Sequence, residues 1–123
     1  MTLGGLHHIT AMAADPQRNL AFYTQVLGLR FVKKSVNQDD PGTYHLYYGD
    51  NTGSPGSALT FFPWPNLRRG RPGQGQAYAT AFSVPAAAQA FWTDRLKKFD
   101  VATAPVETRF ADQVLAFADP DGL

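Results

Sequence analysis

Three histidines are the side chains best suited to chemistry in this sequence of 123 residues. His7 and His8 are adjacent near the start, and His45 lies in the aromatic segment Tyr44-His45-Leu46-Tyr47-Tyr48. The sequence contains no cysteine, which excludes disulfides, thiolate metal ligands and a cysteine nucleophile. Any metal centre therefore depends on His, Asp and Glu, a ligand set that suits Fe(II), Mn(II), Ni(II) or Zn(II).

The two adjacent histidines are expected to point in different directions. Neighbours on a regular strand face opposite sides of the sheet, so His7 and His8 are not expected to bind one metal. Ile9 suits a core covered by a helix, which places His8 on the other face. A single histidine on a strand is more often structural than a ligand. His8 becomes the metal-ligand candidate through the internal repeat described below.

A second group of residues predicts the wall of a binding cavity. His45, together with Tyr47, could act as an acid–base or hydrogen-bonding group near a substrate. The alternative, a partly buried histidine satisfied by backbone groups, is the more frequent case for such a residue. Thr60 and Phe62 on the next strand would extend the wall. These four residues are the predicted substrate-binding set, and no residue is assigned a catalytic role.

The hydrophobic pattern predicts similar elements in both halves of the chain. In the first half, a strand over 6–12 precedes a helix that begins at the N-cap Asp15 and ends at Gly28. Three strands follow, over 29–36, 43–48 and 57–62. A connector over 63–75 leads to a second half with a strand over 76–84, a helix over 85–99, and strands over 101–109 and 113–118.

This repetition indicates a duplicated supersecondary unit. We expect one α+β domain over residues 1–123, in which paired βαβββ modules form a curved mixed sheet with helices on its outer face. Module 1 would span about 5–64 and module 2 about 76–123, the second without its last strand. The open sheet edge predicts either a homodimer or contact with a missing C-terminal half.

Several classes of function are excluded by composition and motifs. A net charge of +1 gives no reason to expect a nucleic-acid partner. Without a signal peptide or an apolar run of about 20 residues, we expect a cytoplasmic protein with no membrane partner. The serines lie in no nucleophile elbow, and Gly73-Gln74-Gly75 lacks the lysine of a phosphate loop.

Several segments resemble the vicinal oxygen chelate superfamily, which includes glyoxalase I, bleomycin-resistance proteins and extradiol ring-cleaving dioxygenases. The segments are Leu6-His7-His8-Ile9-Thr10, Asn19-Leu20-Ala21-Phe22-Tyr23, Val26-Leu27-Gly28-Leu29 and Asp119-Pro120-Asp121-Gly122. A narrower resemblance, to the N-terminal half of the hydroquinone-type ring-cleaving dioxygenases, is found over 31–37, 39–50 and 59–64.

The resemblance implies the N-terminal domain of a metal-dependent, extradiol-type dioxygenase that uses O₂ to cleave a hydroquinone- or catechol-like aromatic. It implies Fe(II), with Mn(II) as the alternative, bound by His8 and by further ligands outside this chain. By comparison with glyoxalase-like members, two other ligand positions fall near Thr60 and Ala79, and neither side chain binds metal well. We therefore expect this chain alone to bind metal weakly or not at all and to show little activity.

Two other functions stay open. One is a small, non-catalytic module that binds a planar ligand, as in bleomycin-resistance proteins. The other is a glyoxalase-type isomerase that works across a homodimer. Thr60 and Ala79 argue against the isomerase, because a symmetric dimer adds no carboxylate at those positions.

Overall fold

The structure is a computed structural model that describes residues 4–71 and 73–123. The chain divides into two compact units, one that ends at Arg69 and one that runs from Gly70 to Leu123. Unit 1 contains β1 (His8–Ala13), α1 (Pro16–Ala21), a π-helical turn (Phe22–Val26), β2 (Arg30–Val36), β3 (Tyr44–Gly49) and β4 (Ala58–Pro63). Unit 2 contains a 3₁₀ turn (Ala86–Ala88), α2 (Gln89–Lys98), β5 (Glu107–Arg109) and β6 (Asp112–Val114). The predicted α+β class is confirmed.

The strands of unit 1 form a mixed sheet in the order β1-β4-β3-β2. β1 pairs in parallel with β4, whereas β3 pairs antiparallel with both β4 and β2. A register shift between Phe31 and Lys33 interrupts the β2–β3 ladder. The β-α-β-β-β order is the one that the hydrophobic pattern predicts for the first half of the chain.

Local sequence determines both ends of the first helical segment. The Asp15 side chain accepts a hydrogen bond of 2.8 Å from the backbone N–H of Arg18, and Pro16 occupies the first turn. Gly28 adopts a φ of 73°, which a residue without Cβ tolerates at a helix end. The predicted N-cap and glycine stop are confirmed. No helix in the described parts of the chain is long and apolar enough to cross a membrane.

One face of the sheet packs against α1 and the π-helical turn. The Tyr23 ring lies 4.7 Å from that of Phe61 and 5.2 Å from that of Tyr48, centroid to centroid. The buried Tyr48 hydroxyl donates to Asn19 Oδ1 over 2.8 Å, and burial raises the pKa of Tyr48. This helix face holds the core of unit 1.

The opposite face of the same sheet carries the candidate site. Side chains alternate along a strand, so the neighbours of Tyr48 and Phe61 point away from α1. We call this surface the site face. It carries Thr10 from β1, Lys33 from β2, His45 and Tyr47 from β3, and Thr60 and Phe62 from β4.

The second half of the chain departs from its predicted plan. The helix lies within the predicted limits, but residues 76–84 form no strand, so that prediction is wrong. The strands predicted over 101–109 and 113–118 reduce to the short β5–β6 hairpin and a bridge between Thr103 and Phe117. In unit 1 the first strand pairs with the fourth, and the described residues of unit 2 contain no such fourth strand. An alternating pattern without a hydrogen-bonding partner does not make a strand.

Replacement of Phe61 tests the core. Phe61→Ala is expected to destabilise the protein by about 3–5 kcal/mol, because it leaves a cavity between the sheet and Tyr23. Phe110→Ala is the matched control, since Phe110 is fully exposed and should change the free energy of unfolding by less than about 0.5 kcal/mol. Urea unfolding of both variants measures the difference, and equal losses would contradict this description of the core.

Candidate functional site

The site face brings the four predicted substrate-binding residues into contact. Tyr47 is the register partner of Thr60, and the His45 ring centroid lies 4.1 Å from those of both Tyr47 and Phe62. His45 Nε2 is 2.9 Å from Thr60 Oγ1, and His45 Nδ1 is 2.8 Å from the Tyr47 hydroxyl. The predicted cavity wall is therefore a contiguous cluster, while its binding of a substrate stays a prediction.

The surroundings of His45 favour its neutral form. Burial lowers its pKa most, and the nearby charges of His8 and Lys33 lower it further. Each of its ring nitrogens contacts a side-chain oxygen rather than a backbone group. The alternative of a histidine satisfied by the backbone therefore does not describe this residue. A neutral imidazole in contact with two hydroxyls can either accept or donate a proton.

Thr60 extends the cluster to β1. It is fully buried, and its Oγ1 lies 2.8 Å from Thr10 Oγ1 as well as 2.9 Å from His45. Because this hydroxyl already has two hydrogen-bond partners, it is poorly placed to bind a metal. Thr10 was not among the predicted site residues. The alternation that places His8 on this face places Thr10 there too, and that signal could have identified it.

Lys33 is the second residue that the sequence reasoning missed. It pairs with Tyr47 in the β2–β3 register, and its Nζ lies 5.6 Å from the centroid of the Tyr47 ring. Its neighbour Lys34 lies on the opposite face, with Nζ 4.7 Å from the Tyr44 ring. Of these two adjacent lysines, only Lys33 adds its charge to the site face.

His8 occupies an exposed position at the start of β1. It lies two residues before Thr10 on the same strand, so strand alternation places it on the site face and not on the helix face. The prediction that the side chains of His7 and His8 point to opposite sides of the sheet is wrong. β1 begins at His8, one residue after His7, and the two Nδ1 atoms lie 3.1 Å apart. Strand alternation does not apply to a residue outside the strand.

A complete metal centre does not fit the described residues. They contain no group of three or more His, Cys, Asp or Glu side chains close enough to share a metal ion. His8 offers an imidazole nitrogen, and Thr60 is already hydrogen-bonded to Thr10 and His45. A catalytic metal usually has about three protein ligands with open positions for substrate. His8 could therefore be at most one contributor among several.

The chain belongs to the Glyoxalase/Bleomycin resistance protein/Dioxygenase superfamily, whose family model matches residues 5–123. This is the superfamily that the sequence resemblance predicts. The fold supports the same assignment, since a crystal structure of a provisionally named dioxygenase from Bacillus subtilis matches with a TM-score of 0.92 at 53% identity. That match covers 97% of this chain and 38% of the crystallised chain.

Two relatives are similar in sequence. MhqO of Bacillus subtilis (strain 168), provisionally named a ring-cleaving dioxygenase, is 54% identical over 119 residues, which cover 97% of this chain and 38% of MhqO. The chlorohydroquinone/hydroquinone 1,2-dioxygenase of Sphingobium indicum is 35% identical over 119 residues, which cover 95% of this chain and 37% of that enzyme. The chain therefore spans less than half the length of each of these two relatives.

The two adjacent lysines allow a direct test of the electrostatics at His45. Lys33→Met is expected to raise the pKa of His45, because one charge that opposes its protonation is removed. Lys34→Met is the matched control and should leave that pKa unchanged, since Lys34 lies on the other face. An NMR titration of His45 measures both values. Equal shifts in the two variants would show that net charge, and not proximity, controls His45.

The lowered pKa of His45 also predicts how the stability of the protein depends on pH. Folding lowers the pKa of His45, so the unfolded chain binds a proton more readily than the folded one. The contribution of His45 to the free energy of unfolding is fully present above about pH 6.5, the pKa of a histidine in the unfolded chain. This contribution is lost as the pH falls from there through the lower pKa of His45 in the folded protein. Urea unfolding between pH 7 and pH 5 should show a smaller loss of stability in His45→Gln than in the unsubstituted protein. An identical loss in both would contradict this assignment.

Proposed function

We propose that this chain is the N-terminal domain of a metal-dependent, extradiol-type dioxygenase that cleaves a hydroquinone- or catechol-like aromatic with O₂. Its superfamily includes dioxygenases, and relatives that cover it almost entirely are named for ring cleavage. The observation that carries the proposal is the cluster on the site face, where a histidine, a tyrosine hydroxyl and a phenylalanine ring lie on the same side of the sheet as His8.

The substrate ring would bind against the aromatic part of the cluster. Phe62 and Tyr47 flank His45 and offer apolar ring surface to a planar ligand. The hydroxyl of Tyr47 would interact with a hydroxyl group of the ring, and His45 would orient that tyrosine hydroxyl through Nδ1. A neutral His45 can accept the hydrogen bond of the Tyr47 hydroxyl at Nδ1, and its lowered pKa favours this neutral form.

The metal of this proposal is Fe(II), with Mn(II) as the alternative. The superfamily and the dioxygenase relatives support a metal cofactor in general. His8 would supply one ligand, and the remaining ligands would come from residues outside this chain. The predicted cytoplasmic location, the homodimer and the contact with a C-terminal half remain predictions.

A non-catalytic module that binds a planar ligand is the second candidate. It is favoured by one observation, since the described residues bring no three metal-ligating side chains together. The aromatic cluster around His45 would serve such a module equally well. A glyoxalase-type isomerase has less support, because Thr60 is already hydrogen-bonded and Ala79 has no ligand atom.

Metal analysis and oxygen uptake separate these candidates. The complete product of the gene that encodes this chain is expected to hold stoichiometric iron and to consume O₂ with hydroquinone. His8→Ala should remove the iron and reduce turnover to background, because it removes one metal ligand. Lys34→Ala, a change on the opposite face, should preserve both properties.

Three outcomes would contradict this proposal. Stoichiometric iron without oxygen uptake would favour the binding module, and unchanged turnover in His8→Ala would remove His8 from the metal site. The 123-residue chain alone is expected to retain little iron. Tight one-to-one retention by this chain, abolished by His8→Ala, would show that its own residues complete the site.

A further inference from the structure

Three short contacts join four side chains of the site face into an unbranched row. Thr10 Oγ1 lies 2.8 Å from Thr60 Oγ1, Thr60 Oγ1 lies 2.9 Å from His45 Nε2, and His45 Nδ1 lies 2.8 Å from the Tyr47 hydroxyl. We call these four residues the polar row. Thr60 is fully buried within it, whereas Thr10 is exposed and Tyr47 is half-buried. His45 is half-buried like Tyr47. Both of its ring nitrogens are already hydrogen-bonded within the row, so the hydroxyls at the two ends are the groups that can add a hydrogen bond to a ligand.

The number of hydrogens makes this row directional. Each hydroxyl has one hydrogen, and a neutral imidazole has one N–H. Thr60 can therefore donate to His45 or to Thr10, but not to both. If Thr60 donates to Thr10, His45 must carry its proton on Nε2 and accept from Tyr47 at Nδ1. If Thr60 donates to His45, all three hydrogen bonds reverse, and the proton of His45 lies on Nδ1.

The chemistry of Tyr47, at one end of the row, favours the first of these directions. The ammonium of Lys33 lies over the ring of Tyr47, with Nζ 5.6 Å from its centroid. A phenol hydroxyl is a stronger hydrogen-bond donor and a weaker acceptor than an aliphatic hydroxyl, and an unprotonated imidazole nitrogen is a good acceptor, so the Tyr47 O–H is expected to point inward to His45 Nδ1. In this direction Thr10 only accepts a hydrogen bond within the row, so its own hydroxyl hydrogen is available to a ligand. Thr10 lies two residues after His8 on the same strand.

We propose that Thr60 is a positioning residue that joins Thr10 to His45, so that the polar row donates outward at Thr10 and holds His45 as its Nε2–H tautomer. The role of the row in catalysis rests on the proposed function. There, Thr10 would donate a hydrogen bond to an ionised ring oxygen bound near His8. The Tyr47 oxygen would accept from a ring hydroxyl that keeps its proton.

The tautomer of His45 tests this inference without any measurement of activity. In ¹⁵N-histidine-labelled protein, the complete gene product, the His45 proton is expected on Nε2. Thr10→Val should move it to Nδ1, because Thr60, with no acceptor left at Thr10, then donates to His45. Thr10→Ser retains the hydroxyl and should keep the Nε2–H form. Thr10 is exposed, so these variants are expected to fold.

Two results would overturn the inference. One is an Nδ1–H tautomer in the unsubstituted protein, and the other is a His45 tautomer that Thr10→Val leaves unchanged. Since Thr10 has no direct contact with His45 in the polar row, a purely structural role of Thr10 predicts no change of tautomer.

Kinetics then connect the polar row to the reaction. Thr10→Val and Thr60→Val are each expected to lower kcat about 3- to 10-fold with a smaller change in KM, and the serine variants should restore kcat. Thr24→Val is the control, since its hydroxyl donates to the Leu20 carbonyl within the first helical segment. A change of tautomer in a protein without ring cleavage would refute the proposed function and leave the polar row intact. Ring cleavage with an unchanged tautomer would refute the polar row alone.

Discussion

The structure of unit 1 depends on the register of β4 between β1 and β3. This strand places Phe61 on the helix face and Thr60 on the site face, so successive residues serve the core and the candidate site. A shift of one residue would exchange the two faces, exposing the phenyl ring and burying the hydroxyl against Tyr23. The cost of exposing Phe61 therefore also fixes the position of Thr60. The geometry of the site is a consequence of core packing.

Much of unit 1 follows from sequence because its signals are local. Asp15, Pro16 and Gly28 determine where the first helical segment begins and ends, and alternation determines which strand residues share a face. The grouping of His45 with Tyr47, Thr60 and Phe62 was predictable for that reason. Which of these side chains touch across neighbouring strands could not be predicted, because those contacts depend on the register between the strands. Without the pairing of β1 with β4, nothing in the sequence joins Thr10 to Thr60.

The two errors of prediction share a physical cause. Residues 76–84 alternate like a strand, but hydrogen-bond pairing makes a strand, and the described residues provide these with no partner. His7 was assigned to a strand that begins one residue later, and this error reversed the direction of its side chain relative to His8. Both features depend on backbone groups outside the segment concerned. The pattern of side chains within a segment does not contain that information.

The electrostatics of the site face favour an electron-rich ligand. The four strands of unit 1 contain no Asp or Glu, while Lys33 and His8 both oppose a positive charge on His45. A cationic ligand would meet this repulsion with no carboxylate from these strands to offset it. An ionised aromatic hydroxyl would instead find a positive charge, hydroxyl donors and flat ring surface together. The charges that lower the pKa of His45 would also favour the ionised form of an aromatic hydroxyl bound on this face.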